Sequence, residues 1–250
     1  MPEIISIHSF RGGTGKSNTA ANLAAKLAQQ GKRVCVIDTD IQSPGIHILF
    51  GLDGEGVKSS LNDFLWHGQA IEEVAIDVTP AEVRADSGII YLVPSSIKPG
   101  EITRVLREGY DARQLTEGLR RLLTQLRLDY LLIDTHPGLN EETLLSLVIS
   151  NTLLIVMRPD QQDYEGTGIT VRVAQELKVP RILLLVNKAP SSLEPKALAQ
   201  QVAQAYGCQV VAVLPHSDEM MELGSRGLFS LTHSSHPIAE QYREIAAQLA

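Results

Sequence analysis

The string Phe10-Arg11-Gly12-Gly13-Thr14-Gly15-Lys16-Ser17 packs glycines, two cations and two hydroxyls into one short loop, and the chemistry this composition suits is the grip of a polyphosphate. Glycines let successive backbone N–H groups turn inward around phosphate oxygens, and a helix starting directly after them presents the positive end of its dipole. Lys16 supplies a point charge to the β- and γ-phosphates, and the Ser17 hydroxyl can ligate Mg²⁺. Gly12, Gly13, Thr14, Gly15 and Asn18 complete the expected phosphate bed. The alternative is a glycine-rich turn with an incidental Lys-Ser, and a strand before the loop with a helix after it weighs against that.

Carboxylates recur at the ends of apolar runs. Val34-Cys35-Val36-Ile37-Asp38-Thr39-Asp40 closes on two aspartates at i and i+2, which taken alone could be ordinary helix-capping or solvated loop charges. Asp134 ends the run 130–134, where an unpaired carboxylate would be costly to bury and a metal-bound water would explain it. Asn187 ends the run 181–187 and Lys188 follows it, and Pro215 and His216 follow 209–214; taken singly these are ordinary turn formers.

Short β-branched or Leu-rich runs at 4–9, 34–38, 89–94, 130–134, 152–157, 181–187 and 209–214 read as buried strands. Helical spacing fills 17–30, 111–126, 167–177, 195–206 and 237–249 between them. The alternation predicts an α/β fold with a doubly wound, mostly parallel sheet flanked by helices on both faces. Segments 51–56 and 76–88 read as surface excursions, and 250 residues with 44% hydrophobic content suit one domain over 1–250.

A net charge of −7 gives the whole molecule no electrostatic reason to coat nucleic acid or an anionic membrane, so any such binding must be local. The two cysteines, Cys35 and Cys208, read as core residues of a reducing compartment rather than a disulfide framework. The N-terminus carries no signal-like segment and no run approaches a membrane span, so a soluble cytoplasmic protein is expected.

The loop departs from the strict phosphate-loop pattern, because the residue five before Gly15 is Phe10. The string resembles K-G-G-x-G-K-S/T of the MinD/ParA family of deviant Walker A P-loop ATPases, with Arg11 where the family has its first lysine. The segment from Val34 through Gly51 resembles that family's second strand and first switch, and Asp134-Thr135-His136-Pro137-Gly138 resembles Walker B and the second switch, commonly D-T-P-P-G. His136 thus replaces a proline, either as a passive substitution or as a pH-sensitive contact at a dimer seam.

The resemblance implies ATP and Mg²⁺ as cofactors, with Ser17, Asp38 and Asp134 at the metal, Asp38 as an outer-sphere contact. It implies Arg11, Lys16 and Asp40 as the catalytic set, Arg11 reaching the partner's nucleotide and Asp40 orienting water. Asn187 with Lys188 would read the adenine edge, and Pro215 with His216 would pack under the base. A homodimer formed on ATP, a stimulating partner protein or cargo adaptor, and positioning or partitioning of a cargo are further implications. The alternatives are a client-delivery or metal-centre-maturation ATPase and a nucleotide-gated regulator with little turnover.

Among branches, the ParA-like one is favoured over MinD proper. The C-terminal run lacks the basic, aromatic character of a membrane-inserting helix. Arg113, Arg120 and Arg127 recur every seven residues, either as a solvated face or as a patch for non-specific DNA. Iron–sulfur carriers are set aside because neither cysteine sits in a ligating pair. Arg158, after the run 152–157, either reaches the nucleotide or a partner subunit, or pairs with Asp160 or Asp163.

Overall fold

A computed structural model describes residues 2–53 and 56–249 of the chain. Eight strands form one sheet: β1 Glu3–His8, β2 Arg33–Asp38, β3 Ile76–Asp77, β4 Ile89–Val93, β5 Tyr130–Asp134, β6 Thr152–Met157, β7 Arg181–Ala189 and β8 Gln209–Pro215. Their order is β3-β4-β2-β5-β1-β6-β7-β8, and every pairing is parallel except that of β3 with β4. The doubly wound α/β architecture expected from the alternation of runs is the one observed.

Side-chain alternation along the strands explains the layers. Ile5 and Ile7 of β1, Val34 and Val36 of β2, and Leu154 and Val156 of β6 share a core with the helices Lys16–Ala28 and Pro237–Leu249. Their neighbours Cys35, Ile37, Leu131 and Ile133 point to the opposite face, under the helix Ala112–Gln125. Leu153, Ile155 and Met157 do the same under Gln161–Glu176. A period of two with both faces covered is what makes the strands apolar throughout.

The C-terminal helix directs Ile238, Ala239, Tyr242, Ile245 and Ala246 into the core, so its apolar face is already packed. No helix among the described residues is long and apolar enough to cross a membrane.

Several elements escape the sequence reading. The segment 76–88 holds the antiparallel edge strand β3 and the helix Ala81–Ala85; of the excursion 51–56, residues 54 and 55 lie outside the described residues. The helix expected over 167–177 begins at Gln161, because the Asp160 side chain caps it by accepting from the Asp163 N–H at 3.1 Å. Glu141–Ile149 is helical behind an Asn140 cap that accepts from the Thr143 N–H at 2.8 Å. Cys35 is buried as expected, whereas Cys208 is only half-buried.

Candidate functional site

The order of strands reverses around β1, which lies between β5 and β6, and in open α/β sheets such a reversal opens a crevice at the strands' carboxyl ends. A cavity of about 590 Å³ sits there, walled by the loops after β1, β2, β5, β7 and β8. It gathers Gly12, Gly13, Gly15, Lys16, Ser17 and Asn18 with Asp40, His136, Asn187, Lys188, Pro215 and His216. Residues drawn from distant parts of the chain as candidates therefore meet in one place. Thr14, Asp38 and Asp134 lie buried behind that wall.

The phosphate loop is built as its glycines require. Gly15, at φ 102°, caps the helix Lys16–Ala28 in a left-handed conformation, and no side chain satisfies the first-turn N–H groups. A Cβ on Gly15 would lie 2.4 Å from Nδ2 of Asn187, so a side chain here would be strained by the positive φ and would displace the Asn187 amide. Free N–H groups and the helix dipole are what an anion would need here. The loop is braced from outside: the Asn187 amide donates to the Thr14 carbonyl at 2.7 Å, and Lys188 Nζ donates to the Gly13 carbonyl at 2.8 Å.

Both braces come from an irregularity in β7. The register with β8 shifts between Val186 and Ala189, and Lys188 adopts φ 56°. Such a bulge re-aims the side chains around it. Asn187 Oδ1 accepts from the Lys188 N–H at 2.9 Å, so the amide expected at an adenine edge is engaged with the loop and its own bulge in this structure.

Phe10 also finds its reason. A Cβ on Gly166 would fall 2.1 Å from the Phe10 ring, so that ring lies directly against the helix Gln161–Glu176. An aromatic residue seated on a glycine notch replaces the first glycine of the strict loop pattern. Only the pairing of the two positions in space reveals this.

Asp38 and Asp134 end β2 and β5 as register partners, and each is about 1% exposed. Burial pushes the Asp134 carboxyl up to about 6, against the pull of Lys16 and a hydrogen bond with Ser17. Asp38 is raised well above the usual carboxylate range, first by burial and then by the charges of Asp134 and Asp40, despite hydrogen bonds from the Asp40 and Gly45 amides. Oδ2 of Asp38 and Oδ1 of Asp134 find no donor among the described residues.

Two buried carboxylates with orphaned oxygens beside Ser17 fit a divalent cation, whose charge would reverse this cost. Among the described residues no group of three or more His, Cys, Asp or Glu forms a protein cage for a metal. Two carboxylates and a hydroxyl are a donor set that would suit Mg²⁺, which is held by few protein oxygens together with waters and phosphates.

His8, at the end of β1, is fully buried with Nδ1 2.8 Å from the Thr135 hydroxyl. That hydroxyl donates to the Ile7 carbonyl at 3.1 Å, so the imidazole is the donor in the pair. Its pKa is lowered to about 3, chiefly by burial and further by Lys16 and His136. No feature of the sequence singles this residue out.

Arg11 and Arg158 converge on the same acids. Arg11 Nη1 lies 3.4 Å from Asp160 and 3.6 Å from Asp163, while Arg158 lies 3.2 Å and 3.3 Å from them. Of the two readings open for Arg158, the ion pair is the one formed. The arginine stripe is not a single helix face: Arg113 and Arg120 lie exposed on Ala112–Gln125, but Arg127 follows the helix end at φ 49°.

A family model described as an AAA domain matches residues 2–180. An uncharacterised ATP-binding protein of Methanocaldococcus jannaschii is 27% identical, the alignment covering 100% of this chain and 88% of that one. An iron–sulfur cluster carrier protein of Pseudomonas fragi is 29% identical over 98% of this chain and 84% of the relative. In fold, the chain is similar to the septum site-determining protein MinD of Pyrococcus horikoshii, solved with Mg-ADP, at TM-score 0.83 and 21% identity, covering 100% and 96% of the two chains. It is also similar to a ParA family ATPase of Chlorobium tepidum, at TM-score 0.77 and 17% identity, covering 99% of each.

The resemblance to MinD and ParA ATPases therefore holds in fold, but the cysteine count does not separate this chain from iron–sulfur carriers by kinship. What the count does fix is geometric. Cys35 in β2 and Cys208 beside β8 are five strand spacings apart, roughly 24 Å, too far to ligate one cluster within a chain.

Proposed function

The chain belongs to the AAA domain family matched over residues 2–180, and from that membership we propose that it is an ATP-hydrolysing molecular switch that dimerises on ATP and positions or partitions a cargo. The observation that carries this reading is the pair Asp38 and Asp134, buried with orphaned oxygens beside Ser17 and next to an uncapped helix N-terminus. A site that only packed a turn would not retain two adjacent buried carboxylates.

In this reading the loop amides and Lys16 hold the β- and γ-phosphates, and Ser17, Asp38 and Asp134 hold Mg²⁺ with its waters. The ion supplies charge neutralisation on the phosphates. Asp40 orients the attacking water, and Arg11 reaches the nucleotide of the partner subunit after leaving Asp160 and Asp163. Asn187, Lys188, Pro215 and His216 line the base end. Partner proteins that stimulate turnover, and DNA bound through Arg113 and Arg120, belong to the same reading.

The test is nucleotide binding by calorimetry together with sedimentation and phosphate release. ATP with Mg²⁺ should bind wild type and drive it to a dimer. Lys16→Ala should abolish binding, because the phosphates then lose the charge that offsets their crowding. Asp40→Ala should bind ATP and accumulate as a dimer without turnover, since a water-orienting carboxylate matters in the transition state. Unchanged affinity in Lys16→Ala would overturn the assignment.

A second reading is favoured by the relative described as an iron–sulfur cluster carrier, which aligns with 98% of this chain. In it, nucleotide-driven dimerisation delivers a metal centre. Cys35 is a poor ligand for that role, because it is fully buried and burial pushes its thiol well above the usual range. Anaerobic incubation with iron and sulfide decides: a cluster spectrum lost in Cys208→Ser would favour delivery, and its absence favours the switch.

A further inference from the structure

Asp40 and His136 stand on separate loops, after β2 and β5, yet Nδ1 of His136 lies 2.6 Å from Oδ1 of Asp40. Both side chains are mostly buried, at 21% and 16% exposure, and both line the nucleotide cavity. A carboxylate oxygen only accepts, so the ring donates from Nδ1.

The same Oδ1 also accepts from the Ser43 N–H at 3.2 Å, and the Asp40 N–H is held by Asp38 Oδ1 at 2.9 Å. No hydrogen bond reaches Asp40 Oδ2 among the described residues. His136 is itself anchored, its carbonyl accepting from the Thr143 hydroxyl at 3.3 Å and its neighbour Thr135 tied to the Ile7 carbonyl at 3.2 Å through its N–H.

We propose that His136 is a positioning residue for hydrolysis: its Nδ1–H fixes the rotation of the Asp40 carboxylate, leaving Oδ2 as the oxygen that accepts from the attacking water. The inference rests on the role given to Asp40 above. A proline, which the resemblance places here in the second-switch motif, would offer no such donor. A carboxylate held by two donors on one oxygen cannot turn about its Cβ–Cγ bond without breaking both. Losing that constraint broadens the geometry in which water is presented, and small misplacements of this kind reduce rates by up to about a hundredfold.

Single-turnover rates of His136→Ala, His136→Asn, Asp40→Ala and the double variant His136→Ala/Asp40→Ala test it. His136→Ala should lower the rate by about ten- to a hundredfold at unchanged ATP affinity. His136→Asn, whose amide N–H takes the place of Nδ1–H, should restore most of the rate, and the double variant should be no slower than Asp40→Ala. Nitrogen-edited NMR of the nucleotide-free protein should find an Nδ1–H signal of His136 that exchanges slowly and is lost in Asp40→Ala. A wild-type rate in Asp40→Ala overturns the role of Asp40 and this inference with it. A slow Asp40→Ala beside a fast His136→Ala overturns the role of His136 alone. So does a double variant slower by the product of the single effects, a His136→Asn as slow as His136→Ala, or an Nδ1–H signal indifferent to Asp40.

Discussion

Asp38 and Asp134 occupy the same register position on adjacent parallel strands, fully buried, each with one carboxylate oxygen that no donor among the described residues reaches. Two like charges confined this closely are a cost to the ligand-free fold, one that a bound cation would offset.

Replacing one of them separates stability from function. The folded Asp134 carboxyl is raised to about 6 from 3.8, so the folded state holds its proton more tightly than the unfolded chain. Stability from this group is present below pH 4 and is lost as the pH rises through about 6. Asp134→Asn should therefore raise the Tm of the ligand-free protein at pH 7.5 in EDTA, by an amount that shrinks toward pH 4, while abolishing the added Tm that Mg-ATP gives wild type. Calorimetric scans across this range with and without Mg-ATP check both statements.

His8 should act with the opposite sign. Its pKa is lowered from 6.5 to about 3, so the unfolded chain binds the extra proton across that window and stability is lost as the pH falls from 6.5 toward 3. His8→Asn keeps a donor for the Thr135 hydroxyl and removes the titration. Its acid limb should be shallower than that of wild type by up to about 1.4 kcal/mol per pH unit, read from denaturant midpoints. Equal slopes would show that His8 is not held neutral.

The two arginines on Asp160 and Asp163 should part company. Asp163 is 2% exposed, and Arg158 binds it through both its backbone N–H at 2.9 Å and its guanidinium. Removing that guanidinium leaves the buried carboxylate with only the Arg158 N–H and the more distant Arg11, and Arg158→Ala should destabilise the fold by about 1 to 3 kcal/mol. Arg11 is 38% exposed and its contacts are longer, so Arg11→Ala should cost under about 1 kcal/mol. Its turnover should nevertheless fall by about 10³-fold if it acts across the dimer. Urea midpoints and phosphate release on the two variants, each mixed with Lys16→Ala subunits, separate these outcomes.

Gly166 should tolerate no side chain. The Cβ of Gly166→Ala would meet Cγ of Phe10 at 2.3 Å and its Cβ at 2.8 Å, contacts that no rotation of the ring's far end relieves. The Phe10 segment must shift, carrying Arg11 and the loop with it, so ATP affinity should drop although residue 166 does not line the nucleotide cavity. Restored affinity in Gly166→Ala/Phe10→Ala would assign the loss to this contact, and an unchanged affinity in Gly166→Ala would refute it.

The sequence by itself determined the phosphate loop, the seven apolar strands and the aspartates at strand ends. Anion binding by a loop between strand and helix uses consecutive residues, and buried strands announce themselves as local apolar runs. Tertiary structure alone decided how those parts are tied together. Asn187 braces Thr14 from 173 residues away, His136 meets Asp40 across 96, and Arg11 meets Asp160 across 149. Such contacts depend on which strands lie side by side and on a bulge in β7, and no spacing along the chain encodes either. The capped starts at Asp160 and Asn140 were legible as residue types, but they become helix boundaries only where the following turn has a core to pack against. Chemistry carried by neighbours in sequence could be read directly; chemistry shared between strands had to wait for the sheet that brings them together.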